Sequence, residues 1–134
     1  MAGLDGKAPV MASLFGDLFM EGAAGYWYLD IVEGTLTPRW DTSGDLHEAL
    51  STPEGEERYL LGRLAMDAAG AGIALSPTQV YDFTVPPCMG GRLEVANLKA
   101  MDFVVALDLA GQIHEQVRRL PPGTKTSGVT ISRP

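Results

Sequence analysis

GYWYLDIVEGTLTPRW, residues 25–40, reads as a β-hairpin, and the rest of the chain is organised around it. Trp27, Leu29 and Ile31 share one face of an alternating strand while Asp30 lies on the other, the period-two pattern of a half-buried strand. Glu33-Gly34 supplies a tight turn, and TLTPRW pairs back. Pro38 has no N–H to give to a ladder, so this last strand is an edge or ends early. Upstream, MASLFGDLFME (11–21) is apolar and aromatic but interrupted by Gly16-Asp17, which makes it two short strands or one with a bulge. Residues 1–10 are small and aperiodic and read as a disordered leader, leaving 11–134 as a single domain.

Helical signals follow the hairpin. Ser43 is placed to cap a short helix with Leu46, Ala49 and Leu50 on its inner face. A second helix opens either with Ser51 and Glu54 at capping-box spacing or with Thr52 as cap and Pro53 at the first position. Its apolar stripe runs through Leu60, Leu61, Leu64, Ala65 and Ala68, and the glycines near 70–72 end it. Ser76-Pro77 opens one turn at most, and residues 81–85 alternate like a strand that Pro86-Pro87 ends. In the last third Leu98, Met101, Val105, Leu109, Ile113, Val117 and Leu120 form a helical seam, although the β-branched run at 103–105 keeps a strand start open. Pro121-Pro122-Gly123 stops that helix, and SGVTIS (127–132) alternates like a final strand. Strands followed by helices predict an α+β fold: a mainly antiparallel N-terminal sheet packed against two or three helices, including a long C-terminal one.

With 134 residues, 46% hydrophobic and 20% charged, the chain suits one domain whose core needs no metal or disulfide. Its net charge of -7 opposes a phosphate backbone and argues against direct nucleic-acid binding. The basic pair Arg118-Arg119 fits compensation of a helix C-terminus. No apolar run is long enough to span a membrane and no signal peptide is visible. The single cysteine, Cys88, excludes an internal disulfide, and the expected compartment is the cytoplasm.

Candidate chemistry is sparse. His47 and His114 have no second His or Cys nearby in sequence, so neither spacing suggests zinc. Cys88 lacks a neighbouring base that would lower its pKa. Gly90-Gly91 fits neither a P-loop nor a dinucleotide fingerprint, and no cofactor is expected. Glu56-Glu57 reads as a solvated helix face. The stretch PPCMGGRLEVANL (86–98) reads instead as a structural corner built on Pro86, Pro87, Gly90 and Gly91, with Asn97 as a cap or loop anchor for the long helix. No catalytic constellation emerges, which favours a binding role.

A set of motifs sharpens this: FGDLF (15–19), YLDIVEGTL (28–36), PEGEERYLL (53–61), QVYDFTVPP (79–87), Gly90-Gly91 with a downstream Asn97-Leu98, and GQIHEQV with LPPGT. Together they resemble the C-terminal domain of a bacterial type VI secretion immunity protein family, whose named members neutralise a DNase effector. The likeness runs from Met11 to Ile131, nearly the whole chain. Family members usually carry a preceding GAD-like part, and here that part is expected to be missing. The resemblance implies a sheet flanked by helices, no catalytic residues and a protein partner, foremost a basic nuclease toxin sequestered by steric occlusion. The expected contacts are the exposed members of Trp27, Tyr28, Glu33, Tyr81, Asp82 and Arg92, because aromatic and arginine side chains dominate interface energies. Two rival readings stay open: a homodimer or adaptor that uses a sheet edge or the long helix, and a small enzyme that uses His114.

Overall fold

A computed structural model describes residues 5–119, so the proposed helix stop at 121–123, the strand at 127–132 and Leu120 of the seam lie outside the described residues. The fold is α+β: a four-stranded antiparallel sheet, a two-stranded antiparallel sheet and four helices. Strands β1 (Ala8–Ala12), β2 (Leu18–Gly22), β3 (Gly25–Asp30) and β4 (Thr35–Trp40) lie in sequential order in the larger sheet. The hairpin that opened the reading is β3–β4, with Leu29 opposite Leu36 and Tyr28 opposite Thr37. Its turn forms because the Asp30 carboxylate accepts from the Val32 and Glu33 N–H groups, both at 3.0 Å, while Gly34 adopts φ +72°. Pro38 sits on β4 opposite Trp27, and β4 is an edge strand, where a residue without an N–H is tolerated.

MASLFGDLFME is two strands, not one. Between them Ser13 Oγ accepts from the Phe15 and Asp17 N–H groups and donates to Asp17 Oδ2, and Gly16 takes φ +91°. The first of the two starts earlier than the sequence suggests. Ala8–Val10, read as part of a disordered leader, belong to β1, with Ala8 paired to Glu21. All five β1 side chains are exposed, so the strand carries no apolar alternation by which to recognise it.

Both faces of the larger sheet are covered. On one, Phe19 and Tyr28 pack with Trp40 against Leu46 of α1 (Ser43–Leu50) and Tyr59 of α2 (Pro53–Leu60). Tyr59 meets Tyr28 edge-on at 5.0 Å between ring centroids and Trp40 at 5.2 Å. The caps are threonines: Thr42 Oγ1 accepts from the Asp45 N–H and Thr52 Oγ1 from the Gly55 N–H, with Pro53 at the first helical position. The expected single helix across residues 60–68 is broken. Leu61 is left-handed (φ 47°, ψ 48°), and α3 (Gly62–Gly70) starts anew with the Arg63 N–H held by the Glu57 carboxylate at 2.7 Å. The reason lies in packing: Leu60 joins the Tyr59 cluster, whereas Leu61, Leu64 and Ala65 join a second one around Phe15, Ala68, Tyr81 and Phe83. One straight helix cannot face both.

The smaller sheet pairs β5 (Gln79–Phe83) with β6 (Leu98–Asp102), from Gln79 opposite Asp102 to Phe83 opposite Leu98. It is tied to the larger sheet's first turn by the Tyr81 N–H, which donates to the Leu14 carbonyl at 2.7 Å. Residues 98–102 are therefore strand, although their spacing extends the helical seam. A helix from Leu98 would leave the β5 backbone unpaired. The long helix α4 (Phe103–Arg118) begins only after Asp102, whose carboxylate accepts from the Val104 and Val105 N–H groups. Phe103 and Leu107 cover Leu18, Met20 and Leu29 on the other face of the larger sheet, and Ile113 is buried further along.

Candidate functional site

Between β5 and β6 the chain turns a corner. Pro87–Met89 form one 3-10 turn, with the Met89 and Gly91 N–H groups both donating to the Pro86 carbonyl at 2.9 and 3.0 Å. Gly90 takes φ +91° and Gly91 lies directly against the Val85 carbonyl, leaving no room for a Cβ. Asn97 closes the corner as a strand residue would. Its Oδ1 accepts from the Val85 N–H at 2.9 Å, and its Nδ2 donates to the carbonyls of Val85 and Arg92. It anchors the loop and does not cap α4, a task that falls to Asp102.

This corner forms one wall of a cleft of about 500 Å³. The other walls come from Phe15, from Ile31 and Val32 before the β3–β4 turn, from β5 and β6, and from Leu109, Ala110 and Ile113 of α4. Most of the lining is apolar. The ionisable side chains that reach it are Asp82, Lys99, His114 and the thiol of Cys88.

Each of these is constrained. Asp82 and Lys99 stand opposite one another in the β5–β6 register. Burial raises the Asp82 carboxyl above the usual carboxylate range, opposed by the Lys99 charge and by the Phe83 N–H. Burial likewise raises the Cys88 thiol, and the Glu33 carboxylate adds to the effect. A thiol held protonated is a poor nucleophile. His114 is 8% exposed and bonds the Ile31 carbonyl through Nε2 at 2.7 Å, so that nitrogen carries the proton. Gly34 lies flat on its ring, where a Cβ would come within 2.5 Å. The imidazole thus clamps α4 to the β3–β4 turn. Behind the cleft the buried Asp17 accepts from the Ile31 N–H at 2.7 Å, and burial pushes its carboxyl up to about 6. Among the described residues, no three His, Cys, Asp or Glu side chains are grouped to hold a metal ion.

Apart from Phe15, Ile31 and Val32, every cleft residue lies between α2 and the end of α4, and that part of the chain decides its kinship. The family model described as T6SS immunity protein Tdi1, C-terminal, matches residues 44–114, just over half of the chain. The chain belongs to this family. No curated protein matches it.

Against this Tdi1 C-terminal frame, the six expected contact residues separate. Tyr28 (5% exposed) and Tyr81 (4% exposed) are core, the first in the aromatic cluster and the second donating its hydroxyl to the Ile73 carbonyl. Neither is available to a partner, because each fills the inward position of its strand. Trp27 is half-buried beside Leu18 and Leu29, with the Lys7 ammonium 4.2 Å over its ring. Glu33 is exposed on the β3–β4 turn, Arg92 is exposed beyond the corner, and Asp82 reaches into the cleft. The cleft brings Asp82 together with Pro86 and Pro87, and it adds Lys99, Met89 and Met101, none of which the sequence reading placed at a site. The Asp82–Lys99 pairing becomes visible only once residues 98–102 are recognised as a strand.

Proposed function

We propose that this chain is a non-catalytic, cytoplasmic immunity protein that binds a nuclease effector and occludes it stoichiometrically. The family match carries this reading, because an immunity protein implies a toxin as its protein partner. Charge supports the nuclease identity. Asp41, Asp45, Glu48, Glu54, Glu56 and Glu57 are all exposed on and around α1 and α2, and Arg58 is the one Lys or Arg on the two helices. Such a field attracts a basic, phosphate-binding surface and raises association rates. His114 and Cys88 favour a non-catalytic role, since one is committed to clamping the fold and the other is held as a thiol. The exposed edge of β1 is the route to a homodimer, but Pro9 and the register shift between Pro9 and Met11 interrupt it, which favours an effector over a second copy. No helix among the described residues is long and apolar enough to cross a membrane.

Co-expression tests the reading. Cells producing a nuclease effector encoded beside this chain are expected to survive only when the chain is present, and the two proteins are expected to co-purify. Loss of viability in its presence, with no co-purification, would overturn it.

A further inference from the structure

The cleft beside the corner is not used by anything described so far, and its chemistry is specific. It is concave, ligand-sized and mostly apolar, with a small number of polar groups, the make-up of a site that takes a side chain or small molecule rather than a flat surface. The acidic group in its wall is Asp82. Lys99 is exposed, and among the described residues it closes no ion pair with Asp82. A half-buried carboxylate whose cross-strand neighbour Lys99 closes no ion pair with it leaves a place for a second cation on the cleft side. The apolar exposure of Val85 (46%) at the mouth of the cleft extends the same surface outward.

We infer that this cleft is the anchor socket for the effector: it takes one bulky apolar side chain of the partner, with an adjoining Lys or Arg reaching Asp82. The inference rests on the immunity reading and adds to it a defined point of attachment. Interfaces concentrate their energy in a few side chains that fill desolvated pockets, and an apolar body carrying a cation matches both features of this one. The acidic α1–α2 surface then governs how fast the partner arrives, and the cleft governs how long it stays.

Cys88, the sole cysteine, lines the cleft and reports on it directly. Tryptamine, an indole bearing a cation, is expected to shift the amide resonances of Thr84, Met89 and Ala110 and to slow alkylation of Cys88 by iodoacetamide. Indole-3-propionate, a similar ring bearing an anion, is expected to need about tenfold higher concentration. Asp82→Asn should erase that preference. Equal binding of the two probes, or of neither, overturns the inference. In the effector complex, Cys88 alkylation should slow by about tenfold or more relative to the free chain. If the effector binds and protects cells while Cys88 reacts as before, the socket is refuted and the immunity reading stands. If the effector does not bind at all, both fall.

Discussion

The two apolar regions that flank the larger sheet differ in one respect. Under α1 and α2, Phe19 stacks on Tyr28 while Tyr59 meets Tyr28 and Trp40 edge to face, and Gly55 lets α2 approach the Ala49 carbonyl too closely for any Cβ. Beside α4 a comparable set of apolar side chains stops short of closing and leaves the cleft, with a carboxylate in its wall. The first region spends its aromatic area on holding the chain together. The second leaves apolar surface uncovered around a half-desolvated carboxylate that closes no ion pair within the fold, an arrangement that costs stability and is typical of surfaces kept for a partner. Elsewhere the polar accounting is strict: among the described residues, no buried side-chain nitrogen or oxygen lacks a hydrogen-bond partner.

That contrast can be broken by substitution. Tyr59→Ala removes the ring that Tyr28 and Trp40 both meet and should cost about 4 kcal/mol, read by denaturant unfolding. A loss below about 1 kcal/mol would mean that the aromatic region is no better closed than the cleft. Asp17 gives the next largest effect, through pH. Its folded pKa, about 6, lies above its ordinary 3.8, so the folded state holds this proton more tightly than the unfolded one. Its contribution is full below about pH 4 and is lost as pH rises through about 6, a fall of about 3 kcal/mol. The difference in stability between the natural chain and Asp17→Asn should therefore change across that window; a constant difference would show that the carboxyl is not desolvated. Gly91→Ala forces a Cβ against the Val85 carbonyl and should cost about 2 kcal/mol by opening the corner, with the melting temperature as readout. The smallest expected change in stability is the most telling. Asp82→Asn should leave unfolding within about 0.5 kcal/mol of the natural chain at neutral pH, because it removes a buried charge, while it weakens effector binding. A large loss of stability would make Asp82 part of the fold and not of the site.

Much of the larger sheet and of the helix starts was legible in the sequence. The alternation through Trp27, Leu29 and Ile31, the Glu33-Gly34 turn and the Thr52-Pro53 cap are local signals, and local hydrogen bonds enforce them. The break at Leu61 was not legible, because nothing in Leu60-Leu61 announces that the two side chains belong to different clusters. Residues 98–102 misled for a related reason: Leu98 and Met101 have helical spacing, but the β5 backbone fifteen or more residues earlier claims them as a strand. The corner could be seen in Gly90-Gly91 and Asn97, whereas the cleft it borders is assembled from five separate parts of the chain. Tyr28 and Tyr81 are buried, which residue type could not show, because it speaks for interface preference and not for which face of a strand points inward.

The central claim is stoichiometric neutralisation, and titrating the nuclease activity of the effector against this chain tests it most directly. The account predicts that DNA cleavage falls in proportion to added chain and vanishes at one equivalent. Full inactivation by a small fraction of an equivalent, which would mark an enzyme, or undiminished cleavage in the presence of excess chain would contradict it.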